Sequence, residues 1–364
     1  MKNAKESGEH HGYYYNISDA LLITILGTFC GLRDLKRIHQ WATNTENRAF
    51  LRENFSVHYI PCYSWFTQLL GMIKPEPLRK QFAAWVQLIL PDTLEGMTVS
   101  IDGKTICSTE RMENFTSPLH IVSAHVSELG ITFGQQAVGG KSNEIPTARE
   151  LIRSLQISGC MVVADAMHCQ KETAKTIIVA EADYLLSAKD NQPTLKNGIK
   201  DYVEDQALRT GMDTASKTEK NRERIEKRTA FVTQDISWLT NKKDWESIAC
   251  IGAISTQFTT KNGTSNAWHY YISSRPLTAL ELLKYARAEW SVEAMHWLLD
   301  VNFGEDACKV RDENVQQLLN SLRKTVLNSL SVYKTEANLK TPISQLLFDN
   351  LLDRRNLLKI VRCK

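Results

Sequence analysis

Two short runs constrain the fold more than any other feature of this chain: Cys-Met-Val-Val-Ala-Asp at 160–165 and Met-Thr-Val-Ser-Ile-Asp at 97–102. The run at 160–165 is apolar without alternation, which suits a strand buried on both faces, and the run at 97–102 is short and β-branched, as strands are. Each run ends in an aspartate, which places Asp102 and Asp165 at the rim of a sheet, where open α/β folds bind ligands. The neighbouring segments supply the rest of such a sheet. Strands at 119–126 and 131–138 flank the turn Glu128-Leu129-Gly130, helices follow at 146–155 and 170–182, and a short strand at 184–188 closes the series. The order is three strands, helix, strand, helix, strand, which predicts a mixed α/β sheet with an antiparallel start.

The flanks read differently. Residues 1–16 are polar, with His10, His11 and three tyrosines, and are expected to be a flexible terminus. From 17 to 92 apolar residues recur at helical spacing, predicting a helical amino-terminal domain closed by Pro91-Asp92. Its 13-residue apolar run at 20–32 is too short for a membrane span of about 20 residues and reads as a buried helix. A catalytic domain is expected over 93–335, with a β-rich insertion at about 197–275 holding strands at 229–232, 248–254 and 268–272. Helices at 277–300 and 314–330 complete it, and a basic helical tail occupies 336–364. The eight cysteines are scattered with no C-x-x-C, which speaks against a zinc site or a disulfide framework and for reduced thiols in the cytoplasm. A net charge of +3 announces no global nucleic-acid binder, so any basic surface must be local. The run 217–228 is one such place, with six basic and three acidic residues.

Three acids carry the chemistry. Asp102 and Asp165 end strands, and Glu293 lies inside the late helix. Singly, a strand-end Asp is ordinarily a turn or helix cap, and a helical Glu a solvated charge. Together they are able to hold hard Mg²⁺ ions with open positions. A pair of such ions clamps the attacking and leaving oxygens of a phosphoryl transfer.

Longer words appear in order: S-I-D-G-K-T at 100–105, K-S-N-E-I at 141–145, V-A-D-A-M-H-C-Q-K-E at 163–172 and Y-L-L-S-A-K-D-N-Q at 184–192. Y-Y-I-S-S at 270–274 and W-S-V-E-A-M-H-W-L-L-D-V-N-F-G-E-D-A-C-K-V-R at 290–311 follow. From about 17 to 330 the series resembles insertion-sequence transposases of the H-repeat-associated type, within the DDE transposase superfamily. The resemblance implies a ribonuclease H-like mixed sheet flanked by helices, interrupted by a β-rich insertion between the second Asp and the Glu. It implies that Asp102, Asp165 and Glu293 are the catalytic, metal-binding triad, with Mg²⁺ as cofactor and Mn²⁺ able to substitute. The implied reactions are DNA cleavage at insertion-sequence ends and strand transfer into target DNA. The expected partner is DNA rather than a membrane, with room for a homodimer in the transposition complex. Two rivals share the same residues: a DNA-binding remnant that has lost transposition, and a nuclease of the same core without strand transfer. The sequence departs from the family words in places. Glu289-Trp290 stands for His-Trp, Lys189-Asp190-Asn191-Gln192 for K-G-N-Q, and Arg222-Glu223-Arg224-Ile225-Glu226 for H-G-R-I-E, and the customary amino-terminal Asp-Pro-Arg segment is missing.

Candidates for phosphate contact are Lys104, Lys189, Arg222, Arg224, Arg228, Lys309 and Arg311, each weighed against a salt-bridged surface role. His168 reads as a cap or hydrogen-bond partner rather than a ligand. Trp297, four residues after Glu293, reads as core packing. The three carboxylates are expected to converge on a shared cation site.

Overall fold

In the computed structural model, which describes residues 15–106, 118–139, 143–221, 224–261 and 263–362, the run at 160–165 is an interior strand of a nine-stranded sheet. Five helices precede the sheet: α1 (Ile17–Phe29), α2 (Leu35–Thr43), α3 (Thr45–Phe55), α4 (Tyr63–Gly71) and α5 (Pro75–Ile89). Then come β1 (Thr98–Thr105), β2 (His120–Val126), β3 (Ile131–Ala137), α6 (Glu144–Ser154), β4 (Met161–Ala164), α7 (Lys171–Val179) and β5 (Asp183–Ala188). The β-rich part begins with two helices, α8 (Pro193–Glu204) and α9 (Gln206–Thr210). It continues as β6 (Asp213–Asn221), β7 (Arg224–Thr233), β8 (Cys250–Thr260) and β9 (Gly263–Ser273). Four helices end the chain: α10 (Ala279–Phe303), α11 (Glu313–Glu336), α12 (Ile343–Leu352) and α13 (Arg354–Val361). The expected loose terminus falls outside the described residues as far as residue 14.

The sheet order is β3-β2-β1-β4-β5-β9-β8-β7-β6. β1, β4 and β5 are parallel neighbours, and all other pairs are antiparallel. The antiparallel start is as the sequence predicts. The β-rich part, by contrast, is continuous with the core sheet, because β9 pairs with β5 from Leu185–Ser273 to Ala188–Tyr270. Its strands are also longer than expected. The described parts of the basic run, 217–221 and 224–228, pair in the β6–β7 hairpin, with Lys217 opposite Arg228 and Thr218 opposite Lys227. Most of the far half of β9 is exposed, so its polar residues carry no apolar alternation and the ladder alone defines the strand.

Burial follows strand parity. Val99, Ile101, Val162 and Ala164 face a core shared with α5, α6, α7 and α8. Met161, Val163 and Leu185 face the other way, against Leu282, Leu283 and Tyr285 of α10. A third core unites α1–α4 with the second half of α10 and with α11, α12 and α13. The amino-terminal helices therefore share their core with the end of the chain. Asn350 donates to the Phe29 carbonyl at 2.9 Å, and Arg354 donates to Asn47 and Glu46 at 2.7 Å each.

α10 belongs to two of these cores. A capping box of Thr278 and Glu281 starts it, and Gly304, in the left-handed region at φ 61°, ends it. Its buried residues pass from Leu282 and Leu283 on the sheet to Val292, Met295, Leu299 and Phe303 among the helices. Replacing the fully buried Leu299 by Ala is expected to cost about 2–5 kcal/mol, read as a lower urea midpoint with unchanged slope.

Candidate active site

The last paired residues of β1 and β4 are Ile101 and Ala164, so Asp102 and Asp165 are the next residues on adjacent parallel strands. Alternation turns Asp102 to the face of Ser100, whose hydroxyl donates to the Ala288 carbonyl of α10 at 2.7 Å. Asp165 follows Met161 and Val163, which also face α10. The neighbouring strand and its loop add Ser187 and Lys189. α10 adds Glu289 and Glu293, which share a helix face at i, i+4. Asp165, Ser187, Lys189, Glu289 and Glu293 line one cavity of about 170 Å³ between the helix and the sheet, together with Arg228, Arg287 and Trp290.

The electrostatics are those of excess negative charge. Burial first, and then the nearby Glu144 and Glu293, raise Asp102 to about 6. Burial, followed by Asp165, Glu293 and Asp102, raises Glu289 to about 7 against the opposing pull of Lys189. Asp165 goes the other way. Burial resists, but the Lys189 ammonium, 2.9 Å from Oδ1, and the Ala166 N–H hold it below the usual carboxylate range. Asp165 thus also caps the 3₁₀ turn Ala166–His168.

The three acids gather around one rim but do not close on one another. Among the described residues no group of three His, Cys, Asp or Glu side chains is spaced to hold a single ion. Mg²⁺ asks for less, since it is commonly held by one or two carboxylates with waters and substrate phosphates completing its shell. The all-carboxylate donor set suits such a hard ion. An orphaned group points the same way. The buried His296 ring lies 3.5 Å from Asp102, and neither of its nitrogens has a hydrogen-bond partner. Burial, with Lys324 and Lys104 nearby, keeps that ring neutral, with a pKa lowered to about 2. A hydrated cation on Asp102 would supply the missing partner.

Other residues fall unevenly. Lys104 has carboxylate partners: its side chain is mostly buried and its ammonium meets Asp300, Glu305 at 3.1 Å and Asp306 at 3.5 Å. Lys189 is tied to Asp165 but half exposed. Arg222 lies outside the described residues, and Arg224 opens β7. Arg228 is engaged by Glu226 and Glu219, and its guanidinium sits 5.2 Å from the Trp290 ring, which Arg287 also flanks at 5.3 Å. Lys309 and Arg311 are exposed beyond α10. His168 is a hydrogen-bond partner, its Nε2 donating to the Glu144 carboxylate at 2.9 Å. Trp297 is not core packing. It is 60% exposed, because the buried stripe of α10 runs through Val292, Met295, Leu299 and Phe303, off its face. Glu289 and Glu144 are the site residues the sequence reasoning passed over. Only the i, i+4 spacing to Glu293 signalled the first.

A sheet whose antiparallel start leads into parallel strands, with helices on both faces and acids at the strand ends, is the ribonuclease H-like architecture. The chain belongs to the Transposase DDE domain family, which its residues 101–329 match, while residues 6–86 match the family of domains associated with it. YncI of Escherichia coli O157:H7, whose name classes it as a transposase, is 29% identical over 325 residues, covering 87% of this chain and 82% of that one. The H repeat-associated protein YhhI of Escherichia coli (strain K12) is 28% identical over 328 residues, covering 87% and 85%. Among solved structures, the fold is similar to that of the piggyBac transposase in its synaptic complex with hairpin DNA. The TM-score is 0.50 with 13% identity, over 99% of this chain and 76% of that one. No helix among the described residues is long and apolar enough to cross a membrane.

The raised acids have a consequence for stability. Native protein holds these protons to higher pH than unfolded chain does, so stability falls as pH rises from about 4 through the folded values near 6 and 7. Glu289→Gln in metal-free buffer is therefore expected to stabilise the protein by about 1–3 kcal/mol at pH 8 and by almost nothing at pH 4. Paired urea titrations at the two pH values check this.

Proposed function

We propose that this transposase cleaves DNA at insertion-sequence ends in a metal-dependent reaction and transfers the freed 3′-OH into target DNA. The observation that carries the reading is the placement of Asp102 and Asp165 at adjacent parallel strand ends beneath a helix that brings Glu293 to the same rim. Asp102 and Asp165 would hold a divalent cation, Mg²⁺ or Mn²⁺, with Glu293 completing the set. A bound ion supplies Lewis-acid polarisation of the phosphoryl group and neutralises its developing charge.

The chain's own groups prepare that site. Lys189 pairs with Asp165 and, being half exposed, would be able to meet a DNA phosphate if that carboxylate held a cation. Trp290, braced between Arg228 and Arg287, fixes the wall of the cavity against the β6–β7 hairpin. The exposed lysines of that hairpin, Lys220 and Lys227, with Arg224 opening β7, form the phosphate-tracking edge, and the sequence adds Arg222 between the two strands. The helical block at 17–92 and the basic tail at 336–364 flank the catalytic domain as DNA-associated elements, and the working complex is a homodimer on paired ends.

Two measurements test this. In Mg²⁺ on DNA carrying the element's inverted repeats, Asp102→Asn, Asp165→Asn and Glu293→Gln are each expected to lose at least about a hundredfold in cleavage while end binding survives. Full cleavage by Glu293→Gln would overturn the assignment, cleavage without joining would leave a nuclease, and binding alone a remnant. Separately, neutralising Lys220, Arg222, Arg224 and Lys227 together should flatten the salt dependence of binding by about 0.9 per lost contact in the log–log slope. An unchanged slope returns the hairpin to a solvated face.

A further inference from the structure

We infer that Glu144, held between His120 and His168, is a positioning residue that fixes the spacing of Asp102 and Asp165 and thereby the affinity of that rim for a divalent cation. The inference rests on the reading of these aspartates as a cation-holding pair. Glu144 is the first residue of α6. One of its oxygens lies 2.6 Å from Nε2 of His120 and the other 2.9 Å from Nε2 of His168. The histidines stand on different parts of the rim. His120 opens β2 opposite Thr105, three residues beyond Asp102, and its Nδ1 is 2.8 Å from the Thr105 hydroxyl. His168 closes the turn that Asp165 caps. One carboxylate therefore ties the strand end bearing Asp102 to the turn bearing Asp165.

The backbone beside Asp102 is built around this contact. A Cβ at Gly103 would fall 2.3 Å from Cδ of Glu144 and 2.5 Å from Nε2 of His120, so only glycine lets the carboxyl group lie on the strand. Gly103 and Asp102 point to opposite faces, so Glu144 braces β1 from behind rather than sharing the cavity with Glu293. The clamp is sheltered, with the side chains of His168 and Glu144 1% and 12% exposed. Burial would favour the neutral acid, but the bonds to both histidines outweigh it and hold Glu144 down at about 2. Mg²⁺ demands near-ideal octahedral geometry, so carboxylates on separate strand ends need their spacing held to about 0.5 Å.

The test is Mn²⁺ binding by the full chain without DNA, followed by calorimetry and by electron paramagnetic resonance. Glu144→Asp and His120→Ala both keep the negative charge at 144 while breaking the clamp. Each is expected to weaken Mn²⁺ binding about 10- to 100-fold, whereas His120→Gln, whose amide donates in place of the ring, stays within about twofold. A group that merely supported the fold would lower the melting temperature and leave the affinity of the folded protein alone. If folded Glu144→Asp and His120→Ala bind Mn²⁺ as the parent does, the inference is overturned; should Glu144→Asp not fold, His120→Ala on the rim decides. Asp165→Asn must abolish the binding, and if it does not, the inference falls with the cation site. A parent that binds Mn²⁺ through Asp165 yet never cuts DNA refutes the transposition reading and leaves the positioning role standing.

Discussion

The placement of the acids depends on α10 being buried twice. Its first turns lie on the sheet through Leu282 and Leu283, and its last turns lie among helices through Leu299 and Phe303. Rotating the helix to release Glu289 and Glu293 from the rim would expose apolar surface at both ends, at about 25 cal/mol per Å². Its register along β1 is pinned as well. Lys104, two residues from Asp102, meets Asp300 of α10 and the almost fully buried Glu305 just beyond it. Asn320 of α11 bonds the other oxygen of Glu305, and the buried Lys324, lowered to about 8, donates to Ser123 of β2 at 2.8 Å. The strand that carries Asp102 and the helix that carries Glu293 are thus fastened to each other beside the site.

Two groups of carboxylates lie along this helix, one tied to the mostly buried Lys104 and one to the half-exposed Lys189. Around Lys104 the acids have a cation of the chain's own, and the network is structural. Around Asp102, Glu289 and Glu293 the single half-exposed Lys189 cannot neutralise all the charge, and two of the acids titrate late. In the proposed reaction a DNA phosphate entering there would add more negative charge, which a divalent counter-charge from solution would offset. Glu289 adds a further acid to that group.

How much of this the sequence revealed varies with the kind of signal. The runs ending in Asp102 and Asp165 disclosed their strands and the rim, the second because burial on both faces leaves no polar residue before the aspartate, the first through its β-branched Thr98, Val99 and Ile101. The β6–β7 hairpin was concealed, since two exposed strands rich in lysine and glutamate look like a solvated charge run. Lys104 was read as an even choice between phosphate and carboxylate, and its partners lie about 200 residues away, beyond any local pattern. Trp297 was misjudged because size suggested burial while the helical phase of Val292, Met295 and Leu299 put it outside. The apolar run of α1 and the helical spacing of apolar residues in α2–α4 showed that these helices are buried, but such a pattern does not name its partner.

That partner is the end of the chain, and this has a consequence for synthesis. Residues such as Leu26, Leu51 and Leu70 are buried against Val292, Leu319 and Leu357 in one core. At typical elongation rates of about 5–20 residues per second, roughly ten to forty seconds separate the two sides on the ribosome. During that interval the first helices have apolar faces and no surface to cover them. Glu293 and the core that holds its helix also arrive late, so a nascent chain can expose both aspartates without a completed site. Assembly of the acid-lined rim and sealing of the amino-terminal helices therefore become one event, which waits for α10–α13 to be made.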